Sequence, residues 1–186
     1  MQILNLEQGS QEWFDARYVT ASHAQAIQAC GAGLETYIYE MMAEKLSTNE
    51  AERFSNAHTE RGNALEAQAR LIYELVNDCL VETVGFVQRD QFVGCSPDGF
   101  VGDDGLVEFK CPSDKVYLKS LVNGMKDAKY DWQCQMQLLV TGRKWCDLVY
   151  YNQGFSKDLL IKRIEPDPEK FEKIEAGIEK AITIIK

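Results

Sequence analysis

Two carboxylates and a lysine stand close together in the stretch "SPDGFVGDDGLVEFKCP", residues 96–112. Two apolar runs with a glycine-bounded acidic segment between them are typical of a β-hairpin. Because side chains alternate along a strand, Glu108 and Lys110 share one face, while Phe109 points the other way, into a core. The turn folds Asp98 back next to Glu108. The hairpin is therefore predicted to gather Asp98, Glu108 and Lys110 at one end.

Two carboxylates held this close raise the pKa of one of them unless a cation lies between them. A shared hard cation relieves the repulsion, and Mg²⁺ accepts carboxylate and water oxygens, usually with one or two carboxylates per ion. The substrate that needs both a metal and a lysine is a phosphodiester, because the metal orients the attacking water and stabilises the leaving oxygen. Lys110 is placed to donate to a phosphate oxygen or to help deprotonate the water.

A simpler interpretation of these residues stays open. A glutamate and a lysine two positions apart on a strand usually form a surface salt bridge worth under about 1 kcal/mol. An EF-hand calcium loop, in contrast, is excluded, because "DGFVGDDG" has the wrong residues at the alternate ligand positions.

The composition is that of a globular protein with an acidic surface. The chain has 186 residues, 45% of them hydrophobic and 26% charged, and one domain over residues 1–186 is expected. Its 29 acidic and 20 basic residues give a net charge of −9. Proteins that grip nucleic acid over their whole surface are basic. Nucleic-acid binding here requires basic residues gathered in a groove, or metal ions that offset local carboxylates.

The chain carries no sign of export or membrane insertion. No apolar run reaches the roughly 18 residues of a membrane span. The start, "MQILNLEQGS", lacks the basic and apolar regions of a signal peptide. The six cysteines contain no C-x-x-C pair, which argues against a zinc or iron–sulfur site. A cytoplasmic protein with reduced thiols is expected.

The periodicity predicts the order helices, strands, helix, strands, helix. Helical patterns cover residues 11–17, 20–29, 34–46, 62–78, 129–142 and 167–186. Strand patterns cover residues 80–90, 91–99, 106–112, 145–153 and 159–166. The last helix carries a stripe of apolar residues that should pack on the body or on a partner. This order predicts an α/β fold in which helices flank a central mixed sheet.

The motifs resemble one branch of the PD-(D/E)XK nuclease superfamily, the phage lambda exonuclease and YqaJ-type viral recombinase family. The matching stretches, in the family's order, are "EWFDARYVTAS" (12–22), "RGNALEAQAR" (61–70), "CSPDG" (95–99), "VEFKCP" (107–112) and "YDWQCQMQLLVTGRKW" (130–145). Each is weak alone, but five in order are a strong signal. The resemblance implies a restriction-endonuclease-like core.

The resemblance also implies a metal site. Asp98 and Glu108 match the metal-binding carboxylates, the backbone carbonyl of Phe109 completes the site, and Lys110 matches the catalytic lysine. Glu66 matches the helix carboxylate that supports the metals, often through water, although a solvated helix glutamate is the alternative. The cofactor implied is Mg²⁺, two ions per active site, with Mn²⁺ as a substitute.

Two further sites come from the same comparison. Gln135 matches the active-site glutamine, with Gln133 as a weaker candidate and with an amide bonded to the backbone as the alternative. Arg17 matches the arginine that binds a terminal 5′-phosphate, and Ser22 would add a hydroxyl and helix N-terminal amides. The link between them, "RYVTAS", is shorter than the family usually has. Trp13 is expected to be a core anchor.

The function implied is a Mg²⁺-dependent 5′→3′ exonuclease on double-stranded DNA that releases 5′-mononucleotides and leaves 3′ single-stranded tails. Family members form ring-shaped homotrimers and work beside a phage single-strand annealing protein. Basic residues that would line the ring are Arg61, Arg70, Lys115, Lys119, Lys126 and Lys129. The alternatives are a site-specific or structure-specific endonuclease of the same fold, or a non-catalytic DNA-end-binding module. His23 and His58 are expected to be bystanders, since neither has a ligand partner at a useful spacing.

Overall fold

The computed structural model describes residues 1–7, 9–46 and 57–186, with side chains described from residue 65 onward in the last range. Arg61 and His58 therefore lie outside the described side chains. The helices described are α1 (Gln11–Ala16), α2 (Ala24–Ala29), α3 (Ala32–Leu46), α4 (Ala57–Asn77), α5 (Asp114–Asn123), α6 (Ala128–Thr141) and α7 (Pro168–Ile185), with a 3-10 turn at Ala21–His23. None of these helices is long and apolar enough to cross a membrane.

The strands form two sheets. They are β1 (Gln2–Leu4), β2 (Val19–Thr20), β3 (Val81–Glu82), β4 (Phe86–Gln88), β5 (Val93–Cys95), β6 (Gly99–Val101), β7 (Gly105–Lys110), β8 (Trp145–Tyr151) and β9 (Leu159–Ile164). The larger sheet has the order β3-β6-β7-β8-β9, and a smaller one has the order β1-β4-β5-β2. Strands β7 and β8 are parallel, while their outer neighbours β6 and β9 run antiparallel to them. The central sheet is thus mixed, as predicted.

The hairpin at the site is β6–β7. Its first strand follows Asp98, whereas the strand predicted over residues 91–99 is β5 of the smaller sheet. The register of β6–β7 decides where Asp98 lies. Gly99 pairs with Val107 at the open end of the hairpin. One step further along this antiparallel register, Asp98 stands opposite Glu108. The residues before Asp98 belong to β5, in the smaller sheet. Asp98 therefore lies where the chain crosses from one sheet to the other.

The larger sheet is covered on both faces. Phe109 packs with Tyr73 of α4 on one face, at 5.8 Å between ring centroids. The other face packs on α6, behind which α2 and α7 close the core. Helix α7 fits so tightly that a Cβ at Gly177 would lie 1.9 Å from the carbonyl oxygen of Ile27. The predicted apolar stripe of the last helix therefore packs on the body of the molecule.

Candidate active site

A cavity of about 360 Å³ opens at the end of the β6–β7 hairpin, between α6, α4 and the segment that follows α1. It collects residues that lie far apart in the sequence. The predicted residues that line it are Arg17, Ser22, Glu66, Asp98, Glu108 and Lys110. Three carboxylates and an ammonium therefore share one cavity with the arginine and serine predicted to bind an anion.

Glu108 is the most enclosed of these side chains, with only 2% of its surface exposed. Its Oε1 accepts hydrogen bonds from Lys110 Nζ at 2.5 Å and from Gln133 Nε2 at 2.6 Å. Its Oε2 accepts one from Gln137 Nε2 at 2.6 Å. A carboxylate offers about four acceptor positions, so one position on Oε2 is left for a further ligand. The strand alternation that places Glu108 and Lys110 on one face also turns them toward α6.

Asp98 is held by the backbone of the neighbouring strand. Its Oδ2 accepts a hydrogen bond from the Phe109 amide at 2.6 Å. Burial, and then the negative charge of Glu108, raise the pKa of Asp98 well above its usual range. Since the N–H and C=O of one strand residue point to the same side, the Phe109 carbonyl also faces this edge. Asp98 and Glu108 thus line one cavity beside the Phe109 carbonyl, at the place where a cation was predicted.

Lys110 and Glu66 complete the polar wall of the cavity. Burial disfavours the charged form of Lys110, but Glu108 and Asp98 outweigh it and raise the pKa of the ammonium above its ordinary value. Burial also raises the pKa of Glu66, while Arg70, 3.8 Å from its carboxylate, acts in the opposite direction. Glu66 is a third exposed at its side chain, which agrees with a supporting position rather than a buried one.

The placement of Gln135 in the active site is wrong. Its side chain is buried elsewhere, donating to the carbonyl of Glu165 at 2.8 Å and accepting from the amide of Asp167 at 3.0 Å. It thereby holds the segment that leads into α7. Residues two apart on a helix face different directions, whereas residues four apart share a face. Gln133 and Gln137 therefore take the position predicted for Gln135.

The donor set fits Mg²⁺. This ion is typically bound by one or two carboxylates and keeps several water molecules. The described residues contain no group of three or more His, Cys, Asp or Glu side chains placed to hold a metal, so a fully protein-ligated site of the zinc or calcium type is not formed by them. Asp98, Glu108 and the Phe109 carbonyl offer hard oxygen ligands only. They are the residues that would hold the ion.

The other end of the cavity carries Arg17 and Ser22, the residues predicted to bind an anion. The Arg17 guanidinium lies over the ring of Trp13, 3.8 Å from its centroid, and donates to Ser22 Oγ at 3.3 Å. The short link between Arg17 and Ser22 thus still brings the two together. Trp13 is 7% exposed, and its indole N–H donates to Ser96 Oγ at 3.0 Å. As predicted, Trp13 is a buried core residue, and its ring also packs against the Arg17 guanidinium in the cavity.

His23 was expected to be a bystander, but it touches this anion site. Its Nδ1 lies 3.1 Å from Ser22 Oγ, and its ring stacks on Tyr37 at 3.8 Å between centroids. The signal available in the sequence was its position directly after Ser22, in the segment "TASH". All six cysteines are free, as expected.

Solved structures confirm the fold. An alkaline exonuclease from Laribacter hongkongensis, LHK-Exo, is 32% identical, with a TM-score of 0.81 over 95% of this chain and 94% of that one. LHK-Exo in complex with dAMP gives a TM-score of 0.84 at 32% identity, over 94% and 92% of the two chains. A phage related exonuclease from Haemophilus somnus 129PT, at 16% identity, shares the fold with a TM-score of 0.67 over 91% and 96%. The predicted PD-(D/E)XK core is therefore confirmed.

Comparison with curated proteins gives no significant match. The family comparison, in contrast, matches residues 12–144 to the YqaJ-like viral recombinase domain. The matched region contains each residue of the cavity described above, from Trp13 to Gln137. The chain therefore belongs to the YqaJ-like viral recombinase domain family.

Proposed function

We propose that this protein is a Mg²⁺-dependent 5′→3′ exonuclease of the alkaline exonuclease type, acting on double-stranded DNA. It releases 5′-mononucleotides and leaves 3′ single-stranded tails. The observation that carries the proposal is the pairing, in one cavity, of the Asp98–Glu108 carboxylates with the Arg17–Ser22 anion site. A hydrolytic centre beside a site for a terminal phosphate is what cleavage from a 5′ end requires. The similarity to LHK-Exo, an alkaline exonuclease, supports the same activity.

Each residue has a defined role in this proposal. Two Mg²⁺ ions, or Mn²⁺ in their place, would supply Lewis-acid chemistry at the scissile phosphate. Asp98, Glu108 and the Phe109 carbonyl would hold the ions, and Glu66 would support them from α4. Lys110 donates to the scissile phosphate, where its ammonium offsets the charge that develops during attack.

The remaining polar groups position the reactants. Gln133 and Gln137 fix the orientation of Glu108, because both amides donate to its carboxylate at 2.6 Å. Arg17 and Ser22 bind the terminal 5′-phosphate and so set which phosphodiester lies at the carboxylates. Trp13 limits the movement of Arg17 by lying against its guanidinium.

Self-association into a ring would reconcile this activity with a net charge of −9. Lys115, Lys119, Lys126 and Lys129 are exposed and would face a central channel. Two separate surfaces also leave large apolar side chains exposed. The first is formed by Leu71, Leu75, Val76 and Leu80, and the second by Val116, Leu118 and Val122. Contacts between two different patches are head-to-tail, and such contacts form a ring when the rotation between neighbouring copies closes. We propose a homotrimer of this kind.

The biological role proposed follows from the family. The 3′ tails would be passed to a phage single-strand annealing protein for recombination in the cytoplasm of a bacterial host. The trimer is tested by light scattering after size-exclusion chromatography. A parent that elutes as a trimer and a Leu75→Glu variant that elutes as a monomer would support it, whereas a monomeric parent would overturn it.

A single nuclease assay tests the activity. Linear duplexes with 5′-phosphate and 5′-hydroxyl ends and a closed circular duplex are incubated with the protein in Mg²⁺, with and without EDTA. We expect mononucleotides from the linear 5′-phosphorylated duplex alone, and none in EDTA. Cleavage of the circle would favour the endonuclease of the same fold. Binding to ends without any cleavage would favour the non-catalytic module.

A further inference from the structure

The Ser22 hydroxyl contacts three polar side chains around the proposed anion site. Its Oγ lies 3.3 Å from Arg17 Nη2, 3.1 Å from Thr20 Oγ1 and 3.1 Å from His23 Nδ1. Arginine only donates hydrogen bonds, so Ser22 accepts from Arg17. A serine hydroxyl has a single proton to give. Which neighbour receives that proton decides whether Ser22 can donate to a phosphate.

The ring of His23 is fixed in its place. It is stacked on Tyr37 at 3.8 Å between centroids, with 10° between the ring planes. Tyr37 is itself buried, accepts from the Thr20 amide at 3.2 Å and donates to the carbonyl of Tyr18. His23 Nδ1 therefore stays within hydrogen-bond distance of Ser22 Oγ. Whether this nitrogen carries a proton decides whether Ser22 donates to it or accepts from it.

The surroundings keep His23 neutral in the free protein. His23 keeps an exposed edge, but its stacked ring is partly desolvated, and this partial burial, Arg17 and Lys129 together lower the pKa of His23 to about 4. Tyr37, stacked on the ring, is neutral at ordinary pH, and burial raises its pKa further. Glu44 acts on Arg17 and Tyr37 rather than directly on the imidazole. The ring thus faces two cations and no carboxylate among the described residues.

Neutral and protonated His23 have opposite effects on Ser22. A neutral ring with a bare Nδ1 accepts the serine proton, which then points away from the cavity. A ring protonated at Nδ1 donates to Ser22 Oγ instead, so that the hydroxyl proton is released toward a bound anion. A phosphate in the site also attracts a positive charge on the ring.

We propose that His23 is a proton-linked positioning residue for the terminal 5′-phosphate: the ring takes up a proton when the phosphate binds, and this turns the Ser22 hydroxyl toward the ligand. The proposal rests on the 5′-phosphate site of the proposed function. It deepens that function by making recognition of the 5′ end dependent on pH, with tighter binding as the pH falls toward 6.

The direct test counts protons on binding. Calorimetric titration of 5′-phosphorylated and 5′-hydroxyl duplexes, in EDTA and in two buffers of different ionisation enthalpy, gives the proton uptake at pH 6.5. The control is His23→Asn, whose amide reaches the position of Nδ1 but does not titrate. The terminal phosphate, with a pKa of about 6, contributes equally in both proteins. Uptake by the parent should exceed that of the variant by about half to one proton, with the phosphorylated duplex only.

A second measurement does not depend on the variant. The chain has two histidines, so imidazole NMR resolves them once His58→Gln has assigned the other. The His23 signal should titrate near pH 4 in the free protein and at about pH 6.5 or above with the phosphorylated duplex, as an uptake of at least half a proton at pH 6.5 requires.

The outcomes separate this inference from the function on which it rests. A parent that prefers the 5′-phosphate but takes up no more protons than His23→Asn, with an unchanged His23 titration, overturns the inference alone. A parent that binds both duplexes equally overturns the 5′-phosphate site and the inference with it.

Discussion

Asp98 and Phe109 are joined across the open end of the β6–β7 hairpin, where the Phe109 amide donates to Asp98 Oδ2 at 2.6 Å. This bond lies just beyond the last backbone pair of the hairpin, Gly99 with Val107. The carboxylate is therefore placed by the register of the sheet rather than by a mobile loop. Because an asparagine oxygen can accept the same bond, Asp98→Asn removes the charge and keeps the anchor.

Removing a glutamine that orients Glu108 should slow DNA cleavage. Gln133→Ala and Gln137→Ala each delete one donor to the carboxylate, and we expect each to reduce the rate of nucleotide release about 10–100-fold. Gln135→Ala is the matched control on the same helix. It should lower the free energy of unfolding by about 1–3 kcal/mol, because the partly buried Asp167 amide loses its acceptor, and leave the rate per folded molecule unchanged.

Rates measured on purified variants, with unfolding followed in denaturant, check both effects. If Gln135→Ala cleaved DNA slowly while Gln133→Ala and Gln137→Ala cleaved it as fast as the parent, Gln135 would be the active-site glutamine, as the sequence predicted.

This glutamine shows why part of the site escaped the sequence analysis. Alternation along a strand fixed the faces of Glu108 and Lys110, because a strand has only two faces. A helix has no such binary choice, and three glutamines within one helix differ only by their rotation about its axis. That rotation depends on how α6 packs between the larger sheet and α7, which is tertiary information. Contacts such as that of His23 with Tyr37, between separate elements, are likewise set by packing.

The fold was predicted more completely than the bounds and the sheet assignment of its individual elements. The hairpin, the late helix and the apolar stripe of α7 follow from local periodicity. The segment 80–90, predicted as one strand, instead divides between β3 of the larger sheet and β4 of the smaller one. Helix α5 was not predicted at all. A surface helix is recognised in a sequence by its polar face, and in α5 this face is interrupted by the exposed apolar residues Val116, Leu118 and Val122.

Arg17 should determine the preference for a 5′-phosphate. Arg17→Ala removes a charged donor from the anion site, and we expect KM for 5′-phosphorylated duplex to rise about 10–100-fold, as the loss of one charged hydrogen bond predicts. KM for the 5′-hydroxyl duplex should change little. Steady-state kinetics on the two substrates give the comparison.

Lys144→Ala is the charge-matched control, because Lys144 is exposed and pairs with Asp104 outside the cavity. Equal losses on both substrates in Arg17→Ala would show that the arginine is not specific for the terminal phosphate.

Lys115 and Lys119 should contribute to DNA affinity through electrostatic contacts with phosphates, which weaken as the salt concentration rises. Each lysine that contacts a phosphate adds about 0.9 to the slope of log affinity against log salt. Lys115→Ala and Lys119→Ala should therefore weaken binding and reduce that slope by about one each, whereas Lys144→Ala leaves it unchanged. Fluorescence anisotropy at several salt concentrations, in EDTA, measures the slope. Unchanged slopes for Lys115→Ala and Lys119→Ala would remove these residues from the proposed channel.

The packing of α7 on α2 should tolerate no added methyl group. In Gly177→Ala the new Cβ would meet the Ile27 carbonyl oxygen, and we expect the free energy of unfolding to fall by about 1–3 kcal/mol. Gly33→Ala is the control, because its Cβ would lie 3.9 Å from Ala26 Cβ, an ordinary contact between α3 and α2. It should stabilise the protein by up to about 1 kcal/mol. Denaturant titrations that rank the two variants the other way would contradict this packing.

The central claim is that Asp98 helps to hold a divalent cation that drives DNA hydrolysis. The most direct measurement is the release of mononucleotides in Mg²⁺ from a linear 5′-phosphorylated duplex by the parent and by Asp98→Asn, purified identically. We expect an EDTA-sensitive activity in the parent and a loss of at least about 1,000-fold in the folded variant. An Asp98→Asn protein that digests the duplex as fast as the parent would contradict the account.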